Sequence, residues 1–203
     1  RGDELDERQR HELRATLERQ ADRMARLVEQ LLDLSRLDAD AIAINPEQIN
    51  LRERIEEIVA SVAADRLADV QIGVDPDLEA PADPGALDRI VGNLVANALR
   101  YGSPPVQVSA AHTDRHLRVF VEDRGEGVPP QFVPELFERF TRGTRARLGG
   151  AGLGLAIARS YARAHHGDLV YEDAEPHGAR FQLILPVTNG SHEVEGHRFR
   201  MRR

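Results

Sequence analysis

The stretch from Asp83 to Tyr101, DPGALDRIVGNLVANALRY, decides how the chain folds. Asp83 before Pro84 is a strong helix start, an N-cap acceptor followed by a ring that already holds the first-turn φ. Leu87, Ile90, Val91, Leu94 and Ala98 fall on one apolar stripe that can face a core. Asn93, Asn97 and Arg100 fall on the other side. Asn competes with its own backbone for hydrogen bonds, so two of them at i and i+4 inside a helix call for an explanation. Together they offer two carboxamide oxygens one turn apart, with a guanidinium beyond. Hard oxygen donors of this kind suit Mg²⁺, which keeps several waters and shares its remaining shell with phosphates. On this helix alone, a solvated face that carries two Asn is the commoner reading.

Composition narrows the function. The chain has 203 residues, 41% hydrophobic and 30% charged, enough for one good core and an accessory element. Its net charge of -7 leaves no basic footprint for nucleic acid outside a short C-terminal tail. There is no Cys, which excludes a disulfide framework and a thiolate metal site. No apolar run approaches the roughly 20 residues that span a bilayer. All 27 basic residues are Arg. Without Lys, neither a Walker A loop nor a eukaryotic-type protein kinase site can be built, so a nucleotide would have to be held by backbone, Arg and Asn.

Residues 1–38 read as one long helix, with Leu13, Leu17, Met24, Leu27, Leu31 and Leu34 at spacings of three, four or seven. At 1.5 Å per residue it would run roughly 50 Å and want a partner helix, most simply in a dimeric bundle. Residues 39–49 read as a linker with a short strand near Ile42 to Ile44, and 188–203 as a disordered tail. Between them, Asn50 caps a helix from Leu51 to about Ala64. Val70, Ile72 and Val74 alternate as a strand, and 75–84 is a turn. Val106 to Ala110 and Leu117 to Val121 form a hairpin, and Leu169 to Tyr171 and Arg180 to Leu185 are the last strands. His165 and His166 sit at a helix C-terminus, where positive charge is favoured, and read as caps.

Two further stretches suggest chemistry. Asp123-Arg124-Gly125-Glu126-Gly127 follows a strand, so a carboxylate stands beside backbone that a flat ligand can approach closely. Such a carboxylate can accept a hydrogen bond from an exocyclic amine; a plain turn is the commoner reading of this stretch alone. Phe137-Glu138-Arg139-Phe140 leads into the Arg-rich segment 141–148, which reads as a mobile lid. Gly149-Gly150-Ala151-Gly152-Leu153-Gly154 then runs into a helix, aiming amide N–H groups at one place, as a phosphate site requires. A Rossmann reading fails because no strand precedes these glycines.

In this order and at these distances, NLVANALRY, DRGEGVP, FERF, GGAGLGLAI and HHGD with GARF closely resemble the catalytic, ATP-binding domain of bacterial two-component sensor histidine kinases. The resemblance covers about 50–187. LVEQLLDLSRLDAD is similar to the second helix of that family's dimerisation hairpin. The resemblance implies an α+β fold, the two-layer α/β sandwich of the Bergerat ATPases, with a mixed sheet and helices on one face.

It implies ATP and Mg²⁺, with Asn97 and Asn93 at the metal, Arg100 on phosphate and Tyr101 against the nucleoside. Asp123 would accept from the adenine amino group, with Gly125 and Gly127 shaping the pocket. Phe137 and Phe140 would anchor the lid and Arg142 would reach the phosphates, which Gly150, Gly152, Leu153 and Gly154 would wrap. Expected partners are a response regulator receiver domain, a second copy in a homodimer and a phosphoacceptor helix. The chain begins at Arg1 rather than Met and is expected to be the cytoplasmic part of a protein anchored upstream in the bacterial cell membrane. His11-Glu12-Leu13-Arg14-Ala15-Thr16-Leu17 is similar to the family's acceptor box. No turn fits between His11 and Asp38, so His11 is read as an exposed residue of the second helix and the acceptor as lying elsewhere. The other readings are an anti-sigma-type serine kinase of the same fold and a nucleotide-sensing dimerisation module without catalysis.

Overall fold

The structure is a computed structural model that describes residues 42–113, 115–141 and 151–187, with positions 10, 13, 14, 16, 17, 20, 21, 24, 25, 28, 32, 33 and 35 near the N-terminus. Those N-terminal positions are all helical, and Leu13, Leu17, Met24, Val28 and Leu32 among them are exposed. His11, Leu27, Leu31, Leu34, the lid with Arg142 and Gly150, and the tail 188–203 lie outside the described residues.

Strand β1, Glu47–Asn50, runs into helix α1, Leu51–Ala63. Asn50 caps it as expected, its Oδ1 accepting from Glu53 N at 2.9 Å. Strand β2, Val70–Gly73, follows a short 3-10 turn, and β3, Glu79–Ala82, leads into α2, Pro84–Tyr101. The hairpin is β4, Val106–His112, with β5, His116–Glu122. A 3-10 helix, Pro130–Glu135, precedes α3, Gly154–Ala164, and strands β6, Asp168–Asp173, and β7, Ala179–Pro186, close the described chain.

Two elements differ from the sequence reading. The strand expected near Ile42 to Ile44 lies instead at β1, and the turn expected over 75–84 contains β3. The two pair antiparallel, Gln48 opposite Pro81. Pro81 hides this strand from sequence reasoning, because proline is tolerated in a two-stranded edge but not in a central strand.

The main sheet has the order β2-β4-β5-β7-β6. Only β2 with β4 is parallel; the connection between them carries β3 and α2, the length of crossover that parallel neighbours need. Side chains alternate, so one face gathers Val108, Val121 and Phe181 in one cross-strand row and Val119, Leu183 and Leu169 in the next, all buried. The three helices pack on that face, with α2 in the middle against both α1 and α3. Its stripe of Leu87, Ile90, Val91 and Leu94 has 0% exposure, so its remaining side faces away from the core. The architecture is the α/β sandwich with a mixed sheet that the sequence implied.

Candidate functional site

The helix start at Asp83 forms as read: Asp83 Oδ1 accepts from Ala86 N at 2.8 Å. Further along α2, Asn93 and Asn97 are half-buried and Arg100 is exposed. Asn93 is oriented by its Nδ2 donating to Arg89 O at 2.6 Å, which leaves Oδ1 to face outward from the helix. Opposite stands the first residue of α3: a Cβ on Gly154 would lie 2.7 Å from Asn93 Oδ1. The first-turn amides of α3 have no intrahelical acceptor, as at every helix start, and Leu153 offers no side-chain cap. A carboxamide oxygen and the positive end of a helix dipole therefore share one small space.

The segment before α3 is held at its base. Phe140 N donates to Gly152 O at 2.8 Å. Gly152 has φ 70, and a Cβ there would sit 2.7 Å from Thr141 O, so no other residue fits without displacing that backbone. Phe140 itself is 66% exposed, with φ 64, while Leu153 is buried. Phe137 is held differently: its ring meets Phe181 edge-on at 6.5 Å between centroids and takes the Arg159 guanidinium on its face at 4.6 Å. Arg159 is fixed in turn by a two-point ion pair with Asp168, at 2.8 and 3.1 Å. That pairing holds the Asp168 carboxyl below its ordinary range.

Asp123 is 5% exposed at the end of β5. Its Oδ1 accepts from Gly125 N at 2.7 Å and, at the long limit, from Ala179 N at 3.4 Å. Burial pushes its pKa up, and the two backbone donors offset this only in part. The carboxylate is pressed against the C-terminus of α2, since a Cβ on Gly102 would lie 2.3 Å from Asp123 Cγ. Tyr101, just before, is 38% exposed, with the Arg100 guanidinium 5.9 Å from its ring centre. Gly127 has φ 72 and packs on Gly178 O, while Val128 N donates to Tyr171 Oη at 3.0 Å. A recess of about 300 Å³ opens beside Gly125, lined by Ser103, Arg124, Glu126 and His177 but by neither Asn.

The fold thus brings Asn93, Gly152, Leu153 and Gly154 to one place, and sets Asp123, Gly125 and Tyr101 around the far end of α2. Sequence reasoning missed Gly102 and Gly178, which Asp123 abuts, and Tyr171; a glycine straight after an aromatic helix end was the available signal for Gly102. His165 is a correction. It is buried, and its Nε2 accepts from Asp83 N at 3.1 Å. Burial pulls its pKa down, so it is a neutral acceptor tying the start of α2 to the end of α3, rather than a charged cap.

Among the described residues no group of three His, Cys, Asp or Glu gathers to hold a metal alone. The oxygen-donor pair Asn93 and Asn97 fits a hard cation that draws the rest of its shell from phosphate and water.

The family model described as "Histidine kinase-, DNA gyrase B-, and HSP90-like ATPase" matches residues 82–189. The signal transduction histidine-protein kinase AfsQ2 of Streptomyces coelicolor is 36% identical over 81% of this chain and 31% of its own length. The histidine-protein kinase/phosphatase MprB of Mycolicibacterium paratuberculosis is 36% identical over 90% of this chain and 36% of its own. The chain thus spans about a third of these curated relatives. Among solved structures, a mycobacterial sensor histidine kinase MprB superposes with a TM-score of 0.59 at 31% identity, covering 70% of this chain and 98% of that one. Full-length ShkA, in complex with AMPPNP, gives a TM-score of 0.71 at 26% identity over 91% of this chain and 40% of its own.

Proposed function

The chain belongs to the histidine kinase-, DNA gyrase B- and HSP90-like ATPase family, and on that premise we propose that it is the catalytic part of a two-component sensor histidine kinase. It binds Mg·ATP and transfers the γ-phosphoryl group to a histidine on a phosphoacceptor helix outside this chain. An aspartate of a response regulator receiver domain then takes the group. Residues 50–187 form the catalytic domain, and 1–38 the second helix of a dimerisation hairpin, joined through the linker 39–49. The parent protein is a homodimer anchored in the cell membrane, with this part on the cytoplasmic side. Among the described residues no helix is long and apolar enough to cross a membrane.

One observation carries this reading: Asn93 Oδ1 stands against the amino end of α3, so a neutral oxygen donor and backbone donors meet where phosphate oxygens and their counter-cation would lie. Asn93 and Asn97 would hold Mg²⁺, which when bound supplies charge neutralisation to the phosphate oxygens. Arg100 and Arg142 add positive charge there, and Gly150, Gly152, Leu153 and Gly154 present backbone. At the other end of α2, Asp123 accepts from the exocyclic amine of adenine, with Gly125 and Gly127 giving the base room and Tyr101 lying along the nucleoside. Phe137 and Phe140 anchor the lid.

In the transfer, an imidazole nitrogen of the acceptor forms a bond to the γ-phosphorus as the bond to the β-phosphate oxygen breaks, releasing ADP. This chain's task is positioning and charge stabilisation, which is most of what phosphoryl transfer needs from a protein. The test is titration of ATP with and without Mg²⁺ against the chain and its Asn97→Ala variant. Binding that strengthens with Mg²⁺ in the parent and loses that response in the variant supports the map. An unchanged response in Asn97→Ala overturns it.

A further inference from the structure

The loop that starts at Asp123 runs out at Val128 into Pro129 and Pro130, neither of which has a backbone N–H. Val128 is therefore the last backbone donor that can fasten the loop before the 3-10 helix. Its partner is a side chain: Val128 N donates to Tyr171 Oη of β6 at 3.0 Å. That hydroxyl donates in turn to Asp173 Oδ1 at 2.6 Å.

The direction of this relay is forced. A backbone N–H can only donate and a carboxylate can only accept, so the hydroxyl accepts from Val128 and gives its one proton to Asp173. Tyr171 and Asp173 are two apart in β6, and strand alternation places them on one face. The Tyr171 ring is packed against Phe181, 5.5 Å between centroids. Burial, and after it the Asp173 carboxylate, push the Tyr171 pKa up to about 12, so the phenol keeps its proton at neutral pH.

The loop is thus held at both ends by different means. At its entry, Asp123 N donates to Ala179 O at 3.0 Å and Arg124 N to Ser103 O at 2.9 Å. At its exit stands the hydroxyl. Between them, Gly125 N is the nearer of the two backbone donors on Asp123 Oδ1, and Gly127, at φ 70–75, packs on Gly178 O. A turn this short and close-packed passes a shift at Val128 back to Gly125 and so to the carboxylate.

We propose that Tyr171 is a positioning residue of the nucleotide site: its hydroxyl, held by Asp173, pins Val128 and keeps Gly125 and the Asp123 carboxylate aligned on the exocyclic amine of the base. Tyr171 acts through the loop, and its effect falls on base recognition rather than on the Mg²⁺ end of α2. The recognition half rests on the function proposed above; the pin at Val128 does not.

Tyr171→Phe removes one hydroxyl and keeps the ring against Phe181. In the nucleotide-free, full 203-residue chain, hydrogen exchange resolved by NMR should show the Val128 amide exchanging at least fivefold faster. Titrations with ADP and with inosine diphosphate, which lacks the exocyclic amine, should show ADP bound at least fivefold more weakly and the preference for ADP reduced. Asp173→Asn keeps an acceptor oxygen without the charge, and should move both readouts the same way by less; it guards against a folding defect in the first variant. Unchanged exchange at Val128 in both variants overturns the pin. An unchanged preference for ADP in both, whatever their affinity, overturns the positioning role, because a merely structural residue would weaken the two nucleotides alike. Absence of ADP binding in the parent, or equal binding of the two nucleotides there, would instead sink the functional reading, while exchange at Val128 would still decide the pin.

Discussion

Gly154 lies against Asn93 so closely that the space between helix α3 and the Asn93 carboxamide has no room for one more methyl group. The contact couples two segments that are far apart in sequence, the Asn-bearing face of α2 and the glycine-led start of α3. Neither alone distinguishes a phosphate site from an ordinary helix.

Gly154→Ala separates stability from function. Gly154 is the first residue of α3, where alanine gains less over glycine than the roughly 1 kcal/mol of a helix interior. That gain offsets the cost of moving the Asn93 side chain, so the fold should hold. The new Cβ, 2.7 Å from Asn93 Oδ1, must push the carboxamide out of its bond to Arg89 O. The expected outcome is an unchanged Tm with Mg·ATP affinity lowered at least tenfold. Calorimetric titration beside a thermal melt checks both.

Asp123→Asn works in the same sense by a different route. Burial raises the folded-state pKa of Asp123. Between the ordinary value of 3.8 and that raised value the native state binds more protons than the unfolded one, so stability falls as pH rises through this window and stays lowered above it. Asn keeps an acceptor for Gly125 N but carries no charge, so the variant should be at least as stable as the parent at pH 7. Its amide would face the adenine amine with a donor where an acceptor is needed, costing about 1–3 kcal/mol of binding. Equal ATP affinity in parent and variant would remove Asp123 from the site.

His165 gives a pH dependence of opposite sign. Its folded pKa lies below 6.5, because burial disfavours the imidazolium and outweighs the nearby Asp83 charge. Below pH 6.5 the unfolded chain binds more protons than the native one. The contribution of His165 is therefore full above 6.5 and lost as pH falls toward its folded pKa. His165→Gln retains an acceptor for Asp83 N and does not titrate. Urea denaturation at about pH 7.5 and 5.5 should show a smaller loss of stability in the variant. An identical loss would mean that other groups carry the acid sensitivity.

These cases also mark what the sequence could disclose. Helix α2 was legible to the residue, because Asp83, Pro84 and the apolar stripe each state a local rule that the core then satisfies. Strand β3 was not, since Pro81 and the acidic residues around it obey turn rules and only pairing with β1 makes them a strand. The candidate site residues could be picked out by type and spacing, but their supports could not. Asp123 is shaped by Gly102 and Gly178, and His165 is neutral because of burial and an amide 82 residues away. Charge state is a property of tertiary contacts, which is why a helix-end histidine read locally as a cation.

The central claim is phosphoryl transfer to a histidine supplied from outside this chain. The direct measurement is incubation with γ-labelled ATP and Mg²⁺, alone and with an added phosphoacceptor hairpin, followed by mapping of acid-labile phosphate by mass spectrometry. The account predicts label on the histidine of the added hairpin and none on His11. Label on His11 in the chain alone would contradict the placement of the acceptor, and ATP bound with label on neither would contradict the kinase itself and leave a nucleotide-sensing module.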